Sequence, residues 1–186
     1  MEIFERPGKT NTAAALSCAL ARAQADGLPL VIATNTGSTA CALLDMVQGQ
    51  PAPHVVAVSH VQGFVQPGGQ ELQPQETARL RAAGVPIVTA THVLSGIERG
   101  LSSKLGGVYP AEIMAHTLRM LGQGVKVAVE ITVMALDGGL LPYGQPVVAV
   151  GGTGRGADTA MVLTPAHAAQ ILDTRIHEIL CKPALW

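Results

Sequence analysis

The 186-residue sequence has few charged side chains and very few aromatic ones. Charged residues make up 13% of the chain, and the net charge is −1. This is about half of the roughly 25% charged residues in an average globular protein. A nucleic-acid-binding surface needs clustered positive charge and, for single strands, aromatic rings on which bases stack. We therefore expect no nucleic-acid partner. The sparse charge also indicates that a second copy of the chain covers part of the surface, as in a homo-oligomer.

Long apolar runs and closely spaced cysteines are also missing. The longest apolar candidate, 124–141, is interrupted by Lys126, Glu130 and Asp137, whereas a membrane-spanning helix needs about 20 mostly apolar residues. The first residues show no signal-peptide pattern. The three cysteines are far apart in the sequence and form no C-x-x-C motif, which argues against a disulfide framework or a thiolate zinc site. We expect a soluble cytoplasmic protein that has no membrane contact and no metal site.

What the sequence does contain is an alternation of short apolar runs and helical patterns. Predicted buried strands lie at 28–36, 54–59, 85–91 and 145–152. Predicted helices lie at 13–26, 37–49, 74–84 and 110–124. Two more strands are predicted at 158–165 and 174–183, the last of them at a sheet edge. This alternation predicts one α/β domain over residues 1–186 with a mainly parallel sheet.

Two segments fit the pattern less well. Residues 92–110 are rich in glycine and serine, which is typical of an irregular functional loop. Residues 125–139 are rich in β-branched side chains at a spacing of two, as in a strand. The same segment also places apolar residues on one helical face, so the residues alone leave strand and helix open.

Polar or glycine-rich segments follow four of the predicted strands, and ligands of open parallel sheets bind outside the carboxyl ends of the strands. The most informative segment is TNTGSTA (34–40), which leads into a predicted helix. The first amides of a helix lack partners and lie at the positive end of its dipole, so they attract anions. Thr36 and Thr39 add hydroxyl donors, and Gly37 leaves room for a phosphate. Ordinary helix capping by Asn35 or Thr36 explains the same pattern.

Other candidate residues lie in the remaining segments. GGTGRGAD (151–158) contains G-x-G-x-x-A. The segment after it is too short for the helix of a dinucleotide site, so a glycine turn with Arg155 free to meet an anion is the better interpretation. His60 and His92 follow strands, where imidazole can act as acid, base or ligand contact.

Glu130 lies among apolar residues and needs a partner, because an unpaired buried charge is costly. The candidate partners are Arg99, Lys104 and Arg155. A structural ion pair and a ligand-binding or catalytic carboxylate both stay open for Glu130.

Several long strings resemble a family of small free-standing proteins with the fold of the C-terminal (alpha/beta) domain of pyruvate kinase. The strings are FERPGKTNT, GFVQPG, HVLSGIERGLSSKLGG, VAVEITVMALDGG and GGTGRGADTAMVLTPAH, and together they extend over essentially the whole chain. The resemblance implies a three-layer α/β/α sandwich with a mostly parallel sheet. It also implies a helix at 125–137, and no kinase activity, because the chain has no room for a catalytic barrel.

The resemblance further implies a bound phosphorylated ligand. The effector loop of pyruvate kinase reads T-x-S-G-x-S-A, and Thr34, Thr36, Gly37, Thr39 and Ala40 match it, with threonine replacing serine twice. A basic loop residue is replaced by Asn35, which disfavours a doubly phosphorylated sugar. Family members are associated with flavin mononucleotide (FMN), which makes FMN the expected cofactor.

The residues expected to contact this ligand come from all four segments and from 92–110. They are Thr34, Asn35, Thr36, Gly37, Ser38, Thr39, His60, Gly63, Phe64, His92, Ser95, Arg99, Lys104, Gly152 and Arg155. If the protein is an enzyme, we expect flavin redox chemistry with His60, His92 and Glu130 near the ring. The alternative is a non-catalytic domain that senses a phosphorylated effector.

Overall fold

The computed structural model describes residues 1–49 and 52–184, which form a seven-stranded sheet with helices on both faces. The strands are β1 (Glu2–Phe4), β2 (Leu30–Ala33), β3 (Val55–Val58), β4 (Ile87–Val88), β5 (Val147–Gly151), β6 (Thr159–Thr164) and β7 (Arg175–Pro183). Their order in the sheet is β1-β7-β6-β5-β2-β3-β4. Among the described strands only β6 runs antiparallel to its neighbours. The mostly parallel α/β fold is therefore confirmed.

The helices form the two outer layers. They are α1 (Thr12–Asp26), α2 (Ser38–Met46), α3 (Pro74–Ala82), α4 (Gly96–Leu105), α5 (Pro110–Arg119) and α6 (Gln123–Asp137), and short 3-10 turns lie at Lys9–Asn11 and Ala168–Asp173. Leu16, Leu43 and Leu80 of α1, α2 and α3 pack with Ile32 in one core. Its neighbour Val31 packs with α5 and α6 in the other core. Successive strand side chains face opposite sides of a sheet, so β2 contributes to both cores.

The two ambiguous segments are both helical. α6 has buried side chains along nearly its whole length, and β-branched residues are favoured on any well-packed buried surface, which explains the strand-like composition. The helix at 125–137 implied by the resemblance is confirmed. The expected irregular loop at 92–110 is wrong, since Gly96–Leu105 forms α4. Ile97, Leu101 and Leu105 recur every four residues and give this helix an apolar face.

The edges of the sheet also differ from the prediction. β1 was not predicted, because three residues are too short for a recognisable pattern. It pairs in parallel with β7, so β7 is an inner strand and its predicted edge position is wrong. The strand predicted at 85–91 contains only two paired residues, Ile87–Val88. None of the described helices is long and apolar enough to cross a membrane.

Candidate functional site

The four parallel strands β2, β3, β4 and β5 end at the same edge of the sheet, where a cleft of about 430 Å³ opens. A volume of this size suits a small-molecule ligand. Most of the predicted site residues line it: Asn35, Thr36, Ser38, Thr39, His60, Phe64, His92, Ser95, Arg99, Glu130, Gly152 and Arg155. Thr34, Gly37, Gly63 and Lys104 were also predicted, and they lie outside the lining. Lys104 is exposed in the last turn of α4.

Residues at the start of α2 line the cleft, and this helix has no side-chain cap. The N-cap residue is Gly37, and neither Asn35 nor Thr36 caps the helix. Thr36 Oγ1 instead donates to Ser38 Oγ at 3.1 Å, and Asn35 Nδ2 lies 3.5 Å from the Gly154 carbonyl oxygen. Ordinary capping therefore does not explain the TNTGSTA pattern. The first amides of α2 have no carbonyl one turn earlier to bind.

The sequence predicts that Gly37 leaves room for a phosphate, but the structure requires a glycine there for helix packing. Its φ is +100°, and a Cβ atom at this position would lie 2.4 Å from Glu76 Cβ. A glycine is thus required by the close packing of α2 against α3 rather than by the approach of a phosphate. Thr34, at the start of the TNTGSTA segment, is buried, and its Oγ1 has no hydrogen-bond partner within the described part of the chain.

The loop between β3 and α3 contributes a histidine held by a carboxylate. His60 Nδ1 donates to Glu71 Oε2 at 2.6 Å, and Glu71 Oε1 lies 3.5 Å from the guanidinium of Arg155. The sequence predicts that Arg155 is free to meet an anion. In the structure Arg155 instead faces the Glu71 carboxylate. Sequence analysis missed Glu71 because it is 11 positions from His60 in a loop without regular spacing.

Three rings form an aromatic cluster in the cleft. The ring centroids of His60 and Phe64 are 4.0 Å apart, and that of His92 lies 5.4 Å from His60 and 5.3 Å from Phe64. His92 Nε2 accepts a hydrogen bond from the Val61 amide at 3.3 Å. Burial lowers the pKa of His92; Glu130 opposes this effect, while His60, Lys126 and Arg99 add to it. His92 is therefore neutral at pH 7, as its accepting Nε2 requires.

Glu130 is buried as predicted, but its predicted partners are wrong. One carboxylate oxygen pairs with Lys126 Nζ, one helical turn earlier on α6. The other oxygen accepts a hydrogen bond from the Leu94 amide at 3.0 Å. Burial lowers the pKa of Lys126, and the charge of Glu130 opposes that shift. The spacing of four between Lys126 and Glu130 was the available signal, but it indicates a pair only if the segment is a helix.

The cleft lining has an excess of positive charge. It contains four cationic side chains, those of Arg99, Arg119, Lys126 and Arg155, and two carboxylates, those of Glu71 and Glu130. Lys126 and Arg155 each face a carboxylate. Arg119 Nε donates to the neutral Gln123 Oε1, at 2.7 Å, and neither Arg119 nor Arg99 has an ion pair within the described residues. The excess therefore lies at Arg99 and Arg119, and sequence analysis missed Arg119.

The glycine-rich segment after β5 forms a turn between antiparallel strands, as predicted, in which Gly151 of β5 pairs with Thr159 of β6. Asp158 is buried and accepts hydrogen bonds from the amides of Gly8 and Thr153, at 2.9 and 3.1 Å, and from the Thr159 hydroxyl. This carboxylate fixes the turn beside the cleft. Across the described residues no group of three or more His, Cys, Asp or Glu side chains is arranged to hold a metal ion.

The fold and the cleft define an α/β domain with a ligand cleft at the carboxyl edge of its parallel strands. Residues 11–163 match the family described as pyruvate kinase, alpha/beta domain, and the chain belongs to this family. A crystal structure of a pyruvate kinase from Cryptosporidium parvum is similar over 80% of this chain, with 16% sequence identity and a TM-score of 0.38. The match spans 22% of that pyruvate kinase. The resemblance to the C-terminal domain is thus confirmed at the level of the family.

Proposed function

We propose that the chain binds a phosphorylated small molecule in the cleft, with FMN as the first candidate. One observation carries the proposal: the uncapped start of α2 and the cluster of His60, Phe64 and His92 line the same cleft. The start of α2 can hold a phosphate, and the ring cluster can contact a flat aromatic ring of the ligand. The excess positive charge of the lining favours an anionic ligand.

The α2 end of the cleft has the donors that a phosphate requires. The free amides of the first helical turn and the helix dipole favour an anion, and the hydroxyls of Thr36, Ser38 and Thr39 lie in the same lining. Charge-assisted hydrogen bonds from amides and hydroxyls bind phosphate without a lysine. The replacement of a basic loop residue by Asn35 is therefore compatible with a single phosphate group.

The ring cluster supports a flat heteroaromatic ligand. Phe64 is 45% exposed, so a stacked ring would bury much of its remaining surface. Glu71 orients His60 through its Nδ1, and the Val61 amide orients His92 through its Nε2. The second nitrogen of each imidazole ring is then the group that would form a hydrogen bond with a ligand. When bound, FMN supplies one- and two-electron redox chemistry. In that case His60 and His92 would orient the ring, whereas Glu130 is held by Lys126 and the Leu94 amide.

A second candidate function is non-catalytic sensing of a phosphorylated metabolite. The observation that favours it is the engagement of both cleft carboxylates: Glu71 contacts His60 and Arg155, and Glu130 contacts Lys126. Groups held in this way are suited to binding and positioning rather than to accepting a proton from a substrate.

Calorimetric titration of the purified protein with FMN and with riboflavin tests the proposal. We expect FMN to bind at least tenfold more tightly, about 1.4 kcal/mol, because riboflavin lacks the phosphate. The double variant Thr36→Val/Ser38→Ala should lose this preference while still binding riboflavin. The matched control, Thr77→Val/Ser103→Ala, removes two hydroxyls that lie outside the cleft lining and should keep it.

Two outcomes bear on the choice between the candidates. Equal affinity for FMN and riboflavin would contradict phosphate binding at α2. Binding of sugar phosphates without binding of either flavin would favour the sensing function. A Gly37→Asp variant is unsuitable here, because its Cβ would collide with Glu76.

A further inference from the structure

We propose a second subsite, between α4 and α5, that binds a small monocarboxylate beside the main cleft. It goes beyond the proposed function and uses none of the groups at the start of α2. The observation behind it is a pair of arginine side chains that line two adjoining cavities and have no carboxylate partner among the residues that the structure describes.

The second cavity has a volume of about 260 Å³. It is lined by Leu94, Ser95, Arg99, Glu112, Ala115, His116 and Arg119. Ser95, Arg99 and Arg119 also line the main cleft. A molecule in the second cavity would therefore be a direct neighbour of a ligand in the first.

The guanidinium groups of Arg99 and Arg119 are available for a ligand. Arg119 donates from Nε to Gln123, which fixes its orientation, and its terminal nitrogens form no hydrogen bond with any described residue. The two acids nearest in sequence are engaged elsewhere: Glu98 Oε2 accepts from the Ala111 amide and Glu112 Oε1 from the Ser102 hydroxyl, both at 2.7 Å. A fixed guanidinium with free terminal nitrogens is suited to a carboxylate, which it binds through two parallel hydrogen bonds.

The charges and the floor of the cavity indicate which anion fits. The lining carries two guanidinium groups and the carboxylate of Glu112, so its arginine and glutamate side chains leave an excess of one positive charge. A monocarboxylate balances this excess of one charge, whereas a phosphate of about −1.5 to −2 charge would leave the cavity with an excess of negative charge. Leu94 and Ala115 are almost fully buried and give the cavity an apolar floor. We therefore assign the subsite to a short-chain carboxylic acid whose carbon chain contacts these two residues.

The experiment is a calorimetric titration of the full chain with butyrate, with its neutral analogue butyramide, and with inorganic phosphate. We expect butyrate to bind at least tenfold more tightly than butyramide and more tightly than phosphate. Arg119→Gln and Arg99→Gln should each weaken butyrate binding at least tenfold. Arg81→Gln is the matched control, because Arg81 is an exposed arginine of α3 outside both cavities, and it should bind as the wild type does.

Each contrary result overturns the inference. Butyrate binding no tighter than butyramide binding would show that the negative charge of the ligand contributes nothing to binding. Equal weakening of butyrate binding by Arg81→Gln would show that only the general positive charge of the protein is involved. Tighter binding of phosphate would contradict the monocarboxylate assignment. Should Arg119→Gln fail to fold, Arg99→Gln decides, since the Arg99 side chain is exposed and forms no ion pair with any described residue. Thr36→Val/Ser38→Ala should bind butyrate normally, so failure of FMN binding and failure of this subsite are distinguishable.

Discussion

Lys126 and Glu130 bring opposite charges into the wall of the cleft, where they are 4% and 5% exposed. Their ion pair lies within α6, and the second oxygen of Glu130 binds the Leu94 amide. This hydrogen bond ties α6 to the segment that leads into α4. Two charges removed from water are tolerated only while each compensates the other. At the residue scale the pair therefore connects the stability of α6 with the position of Ser95 and Arg99 at the cleft.

We predict that Glu130→Gln destabilises the protein by about 3–5 kcal/mol, because it leaves Lys126 as an uncompensated buried cation. The measurement is urea unfolding at pH 7. Glu178→Gln is the control: Glu178 forms an exposed ion pair with Arg22, and its loss should cost less than about 1 kcal/mol. Equal effects of the two substitutions would contradict the structural role of the Lys126–Glu130 pair.

The burial of Glu130 could be predicted from sequence, but its partner could not. The flanking Val129 and Ile131 showed that a charge at this position needs compensation. The candidate partners named from the sequence, Arg99, Lys104 and Arg155, are not the partners in the structure. The actual partner, Lys126, becomes a neighbour of Glu130 only in a helix, where residues four apart share a face. Because the residues alone leave strand and helix open for this segment, the sequence does not identify Lys126 as the partner of Glu130.

At the scale of elements, α6 begins directly against the backbone of the sheet. A Cβ atom on Gly124 would lie 2.1 Å from Thr159 Oγ1, and one on Gly151 would lie 2.3 Å from the Gly124 carbonyl oxygen. Two glycines thus let α6 approach the start of the β5–β6 turn more closely than any side chain would permit. This approach places α6, with Lys126 and Glu130, at the wall of the cleft.

We predict opposite effects for the same substitution in two helices. Gly124→Ala should destabilise the protein by about 1–3 kcal/mol or more, because the added methyl group overlaps Thr159. Gly100→Ala should stabilise it by up to about 1 kcal/mol, because Gly100 lies inside α4 with no neighbour within 4 Å of the added carbon. Thermal and urea unfolding measure both. Stabilisation by Gly124→Ala would show that α6 does not approach the sheet so closely.

The elements that were predicted correctly have strong local signals. α1 ends at Gly27, which has a left-handed conformation, and α3 begins with Pro74, as their sequences indicate. The sequence does not predict α4, because its glycines and serines favour an irregular loop. The apolar side chains spaced four residues apart favour a helix, but this signal is weaker. β1 was missed because its pairing with β7 joins opposite ends of the chain. Such long-range pairing leaves no periodic trace in a three-residue segment.

At the scale of the whole molecule, topology allowed the location of the site to be predicted, whereas its internal contacts could not be. Parallel strands bring their carboxyl ends to one edge, and the segments expected there do line one cleft. The contact of His60 with Glu71, and the position of Arg119 between two cavities, depend on loop paths and helix packing. Neither is encoded by spacing along the chain.

The last prediction concerns the large apolar side chains that α4 and the neighbouring segments expose. Ile97, Leu105, Val108 and Met120 are each more than 70% exposed, and Ile97 and Leu105 lie with Leu101 on one face of α4. Monomeric proteins rarely leave extended apolar patches in water. Because the chain also has few charged residues, we propose that a second copy of the chain covers this face in a homo-oligomer.

Sedimentation equilibrium should accordingly give a mass above the 19.1 kDa of one chain. Leu101→Glu should shift the protein towards the monomer, since a charge in the contact would have to lose its water. Leu172→Glu is the matched control: Leu172 is 83% exposed in the 3-10 turn Ala168–Asp173, away from α4 in sequence, and its substitution should leave the mass unchanged. A wild type that stays monomeric throughout the micromolar range, or equal dissociation by both variants, would mean that the apolar face of α4 does not hold two copies together.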